Sequence, residues 1–269
     1  MLKLKKEEVR NLQTKFSGRK IAVVGDMMLD SYLWGDVKRI SPEAPVPVIE
    51  IDDEFYRFGG AANVALNIQK LGGLPIPIGI IGYDNEGSIF SGLMEEAGIS
   101  SEGIILDDER PTTAKTRVIA GKQHIVRIDR ESKNFMSAKL EEKILTLLEN
   151  NCKELDAIVL QDYNKGVLTK SLITAVIELA IKNQIPTAVD PKKTNFWAYQ
   201  GVTLFKPNLK EVRDSLPFDI QAEEHSLKKA SVHIRKQLQN QHTLITLSEK
   251  GLYIDNQQET VLLGTKPRS

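Results

Sequence analysis

Residues 58–73 read FGGAANVALNIQKLGG, and this stretch decides how the rest of the chain is interpreted. Two glycines open a predicted helix and two close it. Glycine at a helix entry lets a ligand approach the free backbone N–H groups. The apolar residues at helical spacing are Val64, Ile68 and Leu71. Asn63 and Asn67, four residues apart, share a polar face. The stretch predicts either an ordinary capped helix of an α/β domain or a helix start that binds a small polar molecule.

The composition is that of a globular protein without a charge excess. The 269 residues are 41% hydrophobic and 27% charged, with 36 basic and 36 acidic side chains. This balance gives no support for a surface that binds nucleic acid or an anionic membrane. No run reaches the length of a membrane span, and the charged N-terminus lacks the apolar core of a signal peptide. We therefore expect a cytoplasmic protein, and the single Cys152 argues against a disulfide or a cysteine zinc site.

After a short polar helix predicted over residues 3–15, apolar strands alternate with helices, which predicts a doubly wound parallel α/β sheet. The first strand, Lys20–Gly25, is a continuous apolar run, as in strands buried on both faces. The polar residues that follow this and later strands are Asp26, Asp162, Asp190, Asn208 and Ser248. In a parallel sheet these positions share one edge, where ligands usually bind.

Residues 31–53 and 113–129 have a different pattern, with alternating polar and apolar residues and prolines in the first segment. They predict a small antiparallel sheet that projects from the main body as a lid. Its second face needs a cover, either a substrate or another subunit, so we expect a homodimer. Lys115 and Arg117 face the same side of one strand, which suits either a bound phosphate or a solvated cationic face.

Two further segments suit either structure or nucleotide binding. Asn208 and Glu211 have the spacing of a capping box, or could order water around Mg²⁺ and phosphates. Residues 248–251, Ser-Glu-Lys-Gly, suit either a glycine turn or a nucleotide contact. Neither the Walker motif nor the Gly-x-Gly-x-x-Gly fingerprint after the first strand is present, which disfavours P-loop enzymes and dinucleotide dehydrogenases.

Several motifs in order resemble the ribokinase-like (PfkB) carbohydrate kinases: VGDMMLD (24–30), RISPEAPVPV (39–48), GGAANVA (59–65), DYNKG (162–166), DPK (190–192) and KPNLKE (206–211). The 39–48 run resembles more narrowly the D-glycero-β-D-manno-heptose-7-phosphate kinases of bacterial ADP-heptose synthesis, which supplies the lipopolysaccharide core. The resemblance extends from about residue 15 to residue 265.

The resemblance implies transfer of the ATP γ-phosphoryl group to O1 of heptose 7-phosphate, with ATP and Mg²⁺ as cofactors. It implies a ribokinase sandwich with a β lid that also forms a homodimer. The implied substrate residues are Asp30, Gly59, Gly60, Asn63, Lys115, Arg117, Gln123, Arg127, Asp162 and Lys165. The implied nucleotide residues are Asn208, Leu209, Lys210, Glu211, Ser248, Glu249 and Gly251, with Glu211 meeting the metal through water.

The chain departs from the family in one respect, because the Gly-Ala-Gly-Asp element that supplies the family's catalytic base is not in these residues. The sequence reaches Lys266–Ser269 where that element is expected, so the expected base lies beyond Ser269. The resemblance therefore implies one C-terminally incomplete kinase domain over 1–269, inactive as this fragment, with lid strands from about 31–53 and 104–130. The alternatives are a non-catalytic module that binds sugar phosphate or nucleotide, and a PfkB kinase of another sugar.

Overall fold

The computed structural model describes residues 5–265, in which the strands form two sheets. The strands of the main sheet are β1 (Lys20–Gly25), β4 (Leu74–Gly82), β5 (Ile104–Asp107), β8 (Ala157–Gln161), β9 (Thr187–Asp190), β10 (Leu204–Phe205), β11 (His242–Thr246), β12 (Leu252–Asp255) and β13 (Thr260–Leu263). The strands of the lid sheet are β2 (Met27–Ile40), β3 (Pro47–Gly59), β6 (Ala114–Ala120) and β7 (Gln123–Arg130). The predicted helix start at residues 3–4 and the Lys266–Ser269 segment lie outside the described residues.

The helices are α1 (Lys6–Phe16), α2 (Gly60–Lys70), α3 (Asn85–Ala97), α4 (Ala138–Asn151), α5 (Lys170–Lys182), α6 (Leu209–Ser215) and α7 (Glu224–Leu238). Local sequence explains their ends. The Asp84 carboxylate caps α3 by accepting the Gly87 N–H, and Gly98 ends that helix at a φ of 63°. The Thr169 hydroxyl accepts the Leu172 N–H at the start of α5.

The main sheet has the order β13-β12-β11-β10-β9-β8-β1-β4-β5, and its strands from β5 to β11 are parallel. Helices α4, α5 and α7 contribute to a hydrophobic cluster that includes Ile144, Val176 and Ile234. Helices α2 and α3 contribute to a second cluster with Val23 and Phe90. Because Val23 and Val24 alternate between these clusters, the sheet is covered on both faces, and the predicted doubly wound α/β fold is confirmed.

The lid differs from the prediction in two respects. Residues 104–107 form β5, which pairs with β4 at the edge of the main sheet, so the second lid segment begins at Ala114 rather than near residue 104. The lid order is β3-β2-β6-β7, and its central pair, β2 with β6, is parallel. The prediction of a wholly antiparallel lid is therefore wrong for that pair, since β2 and β6 are joined through the main body rather than by a hairpin.

Helix α2 buries its small residues more deeply than the apolar residues at helical spacing, of which Val64 and Ile68 still pack against the second hydrophobic cluster. Its fully buried residues are Gly60, Ala61, Ala62 and Ala65, whereas Val64 and Ile68 are half-buried and Leu71 is 60% exposed. Alanine side chains are small, so the helix can pack closely against the sheet at these positions, and they become more deeply buried than the larger apolar residues. None of the helices in residues 5–265 combines the length and the apolar character needed to cross a bilayer.

Candidate active site

The candidate site begins at the end of β1, where Asp26 is 1% exposed. Its carboxylate accepts three backbone N–H groups of the 162–167 loop: Tyr163 at 2.7 Å, Lys165 at 3.1 Å and Val167 at 3.2 Å. Burial, offset in part by these hydrogen bonds and aided by the nearby charge of Asp162, raises the pKa of Asp26 to about 6. Asp26 thus lies beneath the edge of the sheet and holds the loop rather than facing solvent.

Asp162, predicted to bind substrate, is also 1% exposed and has its oxygens occupied. It accepts the Asn164 N–H at 2.7 Å, the Tyr199 hydroxyl at 2.8 Å and the Asn195 amide at 3.2 Å. Burial, together with the Asp162 charge and this hydrogen bond, raises the pKa of Tyr199 well above its usual value. In this structure Asp162 shapes the loop from inside, and direct substrate contact remains a prediction.

The glycines at the start of α2 are required by close contacts. Gly60 has a φ of +56°, and a Cβ there would lie 2.2 Å from the Asp26 carbonyl oxygen. A Cβ on Gly59 would lie 2.9 Å from Oδ2 of Asp30. The two glycines therefore bring the helix start against both acidic residues, and Asn63 is exposed one turn further along.

Asp30 lies within β2 rather than in a loop after β1, so it belongs to the base of the lid. The Arg117 guanidinium of β6 donates to its Oδ1 at 2.7 Å, and both side chains are about one-fifth exposed at 20% and 21%. Arg117 also lies 5.1 Å from the centre of the Tyr32 ring. These contacts fix the orientation of the Asp30 carboxylate at the base of the lid.

Lys115 and Lys165 meet at a residue that the sequence interpretation missed, Glu131. The Lys165 ammonium lies 2.6 Å from Oε2 of Glu131, and the Lys115 ammonium lies 3.5 Å from the same oxygen. All three side chains are 13–17% exposed. Although burial raises the pKa of Glu131, the two lysines outweigh it and lower that pKa. Alternation along the strand could have identified Glu131, because it places residue 131 on the same face as Asp129. The Asp129 carboxylate lies 3.2 Å from the Lys115 ammonium.

The other predicted lid residues are more exposed. Arg127 contacts both oxygens of Asp129 at 2.9 and 3.1 Å, and its side chain is 57% exposed. Gln123 is exposed at the hairpin tip, opposite Ala120 and at the far end of β7 from Asp129. The structure therefore brings Arg127 to the edge of the lysine cluster but leaves Gln123 away from it.

The predicted nucleotide segments lie together around one open cavity of about 720 Å³. Its lining includes Asn208, Leu209, Lys210, Ser248, Glu249 and Gly251. Asn208 and Glu211 form the expected capping box, in which Asn208 accepts the Glu211 N–H at 2.8 Å and Glu211 accepts the Asn208 N–H at 2.8 Å. The structural interpretation of this pair as a capping box is thus confirmed. The start of α6 that it caps lines the same cavity as Ser248, Glu249 and Gly251.

Glu211 fits a cap better than a Mg²⁺ ligand. One of its oxygens accepts from Lys192 and the other from the Asn208 N–H, and the side chain is 9% exposed. Within residues 5–265, no three His, Cys, Asp or Glu side chains come together as a metal-binding group. Both oxygens of Glu211 are thus engaged within the protein, and its water-mediated metal contact stays a prediction.

A cleft of about 280 Å³ lies between the start of α2 and the strands β8 to β10. It is lined by Gly60 and Asn63 on one side and by Asp190 and Lys206 on the other. The Lys206 ammonium lies 3.0 Å from the Asp190 carboxylate. The pattern of polar residues after strands predicted Asp190 at this edge but not Lys206. A larger cavity of about 950 Å³ runs along α3, but none of the predicted site residues lines it.

Comparisons with known proteins identify related sequences and folds. The description "pfkB family carbohydrate kinase" matches residues 19–267. The chain is 40% identical over 237 residues to the bifunctional protein HldE of Wolinella succinogenes, covering 88% of this chain and 50% of that protein. It is 42% identical over 235 residues to the HldE protein of Sulfurimonas denitrificans, covering 87% and 49%. The chain thus spans about half the length of the curated relatives it matches.

Solved structures show the same fold at low identity. The tetrameric inhibited form of phosphofructokinase-2 from Escherichia coli superposes with a TM-score of 0.72 at 17% identity, covering 94% of this chain and 81% of that one. Ribokinase from Arabidopsis thaliana, solved with ribose and ATP, gives 0.67 at 16%, covering 93% and 79%. These likenesses confirm the predicted ribokinase-like fold. The family match over residues 19–267 shows that this chain belongs to the pfkB family of carbohydrate kinases.

Proposed function

We propose that this chain binds a sugar phosphate and ATP as part of a carbohydrate kinase, and that the sugar is D-glycero-β-D-manno-heptose 7-phosphate. In the proposed reaction the γ-phosphoryl group of ATP passes to O1 of the sugar. The 39–48 motif and the likeness to the HldE proteins support this choice of substrate. The observation that carries the proposal is the meeting of Lys115 on the lid and Lys165 on the body, beside Arg117 and Asp30.

At the sugar end, the charges of the lid and the body have complementary uses. Asp30 accepts a sugar hydroxyl while Arg117 fixes its orientation. Lys115 and Lys165 provide two cations for the doubly charged phosphate, since phosphate binding favours several donors of positive charge. Gly59 and Gly60 let the sugar approach the start of α2 closely.

At the nucleotide end, the turn at Ser248–Lys250 and the start of α6 provide the walls for ATP. Phosphoryl transfer depends mainly on positioning and charge neutralisation, so the two ends act by holding both substrates across the cleft at Asp190 and Lys206. Bound Mg²⁺ would supply charge neutralisation of the ATP phosphates. The described residues offer no assigned catalytic base, so binding is the appropriate measurement.

The proposal is tested by calorimetry with heptose 7-phosphate, with the unphosphorylated heptose and with ATP. Replacing Lys115 and Lys165 by alanine should weaken the binding of heptose 7-phosphate by tenfold or more and leave ATP binding unchanged. Lys38→Ala is the matched control, since Lys38 forms an exposed lid ion pair with Glu50 at 2.8 Å. An equal loss for the phosphorylated and unphosphorylated sugars would contradict the assignment of these cations to the phosphate.

One alternative is a module that binds sugar phosphate and nucleotide without transfer. Incubation with heptose 7-phosphate and MgATP distinguishes the two, because only a kinase forms the 1,7-bisphosphate. A PfkB kinase of another sugar is the remaining alternative. It would show tighter binding of that sugar, for example fructose 1-phosphate, in the same calorimetric series.

We further propose that the lid forms a homodimer. The face opposite Lys115 and Arg117 carries Leu33, Val118, Val126 and Ile128, of which Val126 and Ile128 are 48% and 55% exposed. Exposed apolar residues on one sheet face favour association. Ile128→Glu should convert a dimer to a monomer in sedimentation velocity. Val232→Glu on α7, where Val232 is 51% exposed, should leave the dimer intact.

A further inference from the structure

Asp26 connects the two backbone segments that form the sugar side of the site. Its side chain accepts three N–H groups of the 162–167 loop, and its backbone carbonyl oxygen accepts the Ala61 N–H of α2 at 2.9 Å. We propose that Asp26 is a positioning residue for sugar-phosphate binding, which fixes Lys165 relative to the start of α2 without touching the substrate. This inference rests on the proposed function and deepens it.

The backbone of the 162–167 loop needs such an acceptor. Asn164 and Gly166 both have positive φ, at 55° and 86°, which turns alternate N–H groups of the loop toward the buried carboxylate. A buried N–H without an acceptor costs about 1–3 kcal/mol, so three of them cannot stay in place if the carboxylate is removed. The loop conformation therefore depends on Asp26 and not on the loop sequence alone.

The consequence reaches the phosphate site through Lys165. The backbone N–H of Lys165 is one of the three that Asp26 accepts, while its ammonium lies 2.6 Å from Glu131. Moving the backbone would separate Lys165 from Glu131 and Lys115, because the ion pair reaches from the body to the lid. The nucleotide cavity is built by the start of α6 and the turn after β11, which Asp26 does not contact through the hydrogen bonds described above.

Asp26→Asn and Asp26→Glu test the proposal. Asparagine removes one of the two acceptor oxygens, and glutamate keeps the charge but moves it by one methylene. Asp255→Asn is the matched control: Asp255 is 2% exposed, accepts the Gln257 N–H at 2.8 Å, and lies in β12 opposite the start of β11, at the other edge of the sheet. Two readouts are needed: amide hydrogen exchange of the ligand-free protein, and calorimetry with heptose 7-phosphate and with ATP.

We expect the amides of Tyr163, Lys165 and Val167 to exchange about tenfold faster or more in both Asp26 variants, and not in Asp255→Asn. Heptose 7-phosphate binding should weaken about tenfold or more, while ATP binding stays within about twofold of the wild type, since tenfold in affinity corresponds to loss of one ordinary hydrogen bond. Unchanged exchange of the three amides, or an equal loss for both ligands, would overturn the proposal. If the wild type itself binds no heptose 7-phosphate, the proposed function fails, and the exchange measurement still decides whether Asp26 holds the loop. The glutamate variant provides the decision if the asparagine variant does not fold.

Discussion

The burial of Asp26 predicts a specific pH dependence of stability. Burial is the largest influence on this carboxyl group and raises its pKa from 3.8 to about 6, although three backbone N–H groups act in the opposite direction. Asp162 raises that pKa further, while Arg110 is the nearby cation whose own pKa responds to the Asp26 charge. The folded protein therefore holds the proton more tightly than the unfolded chain does.

The sign and size of the effect follow from linkage. Because the pKa in the folded state is the higher one, protonation of Asp26 stabilises the fold, fully below pH 3.8, and the gain is lost as the pH rises through about 6. A shift of about two pKa units at ~1.4 kcal/mol each gives a total of about 3 kcal/mol. Roughly half of this appears between about pH 7.5 and about pH 5.

The measurement compares urea unfolding of the wild type and Asp26→Asn at these pH values. Asparagine does not titrate, so the difference between the two proteins isolates Asp26. The comparison with the variant is needed because other carboxyl groups act in the opposite direction. At Asp84 and Glu131 hydrogen-bond donors outweigh burial and lower the pKa, so protonation of these two groups in acid destabilises the fold. We expect the wild type to gain about 1–2 kcal/mol relative to the variant on going from about pH 7.5 to about pH 5. A difference that stays constant, or moves in favour of the variant, would refute the reasoning.

Four further substitutions have outcomes set by the geometry. Glu131→Gln removes the anion that occupies Lys165, so calorimetry should show severalfold tighter binding of heptose 7-phosphate with a steeper salt dependence, and no change for the unphosphorylated sugar. Gly166→Ala forces a Cβ to within 1.9 Å of the Asn134 carbonyl oxygen at a φ of +86°, which should cost about 2 kcal/mol or more in urea unfolding. Gly98→Ala, at a φ of +63° with open space around it, should cost only about 1 kcal/mol in the same assay. Asn208→Ala removes the cap of the seven-residue helix α6 and should cost about 1 kcal/mol, measured the same way.

The parts of the fold that sequence predicted are those with strong local signals. Strand β1 was predicted at its observed bounds, Lys20–Gly25, because a four-residue β-branched and apolar core is bounded by charged residues and glycine. Helix α3, Asn85–Ala97, likewise has local signals at both ends, the Asp84 cap and Gly98. By contrast, β10 pairs only at Leu204–Phe205 although the buried Val202 precedes it, since burial of an apolar segment does not require it to join the ladder.

Strand pairing in the lid was beyond the sequence for a different reason. Alternation shows that a strand has two unlike faces, but it does not show which strand lies beside it. The parallel pair of β2 and β6 joins residues 29–35 to residues 114–120, separated by two helices and two strands of the main body. This pair places Asp30 beside Lys115 in register, so the geometry that makes the sugar site depends on a contact that no local pattern encodes.

The candidate site shows the same distinction among its acidic residues. Asp26, Asp30 and Asp162 all follow or begin apolar segments, and sequence gives no reason to separate them. In the structure the carboxylates of Asp26 and Asp162 each accept three donors and are 1% exposed, whereas Asp30 accepts from Arg117 and keeps 21% of its side chain exposed. A carboxylate whose lone pairs are already taken by the protein can shape a site but has little left for a ligand. The donor count therefore favours Asp30 as the proposed sugar contact, whereas the other two carboxylates support the loop, a difference that arises only when the chain folds.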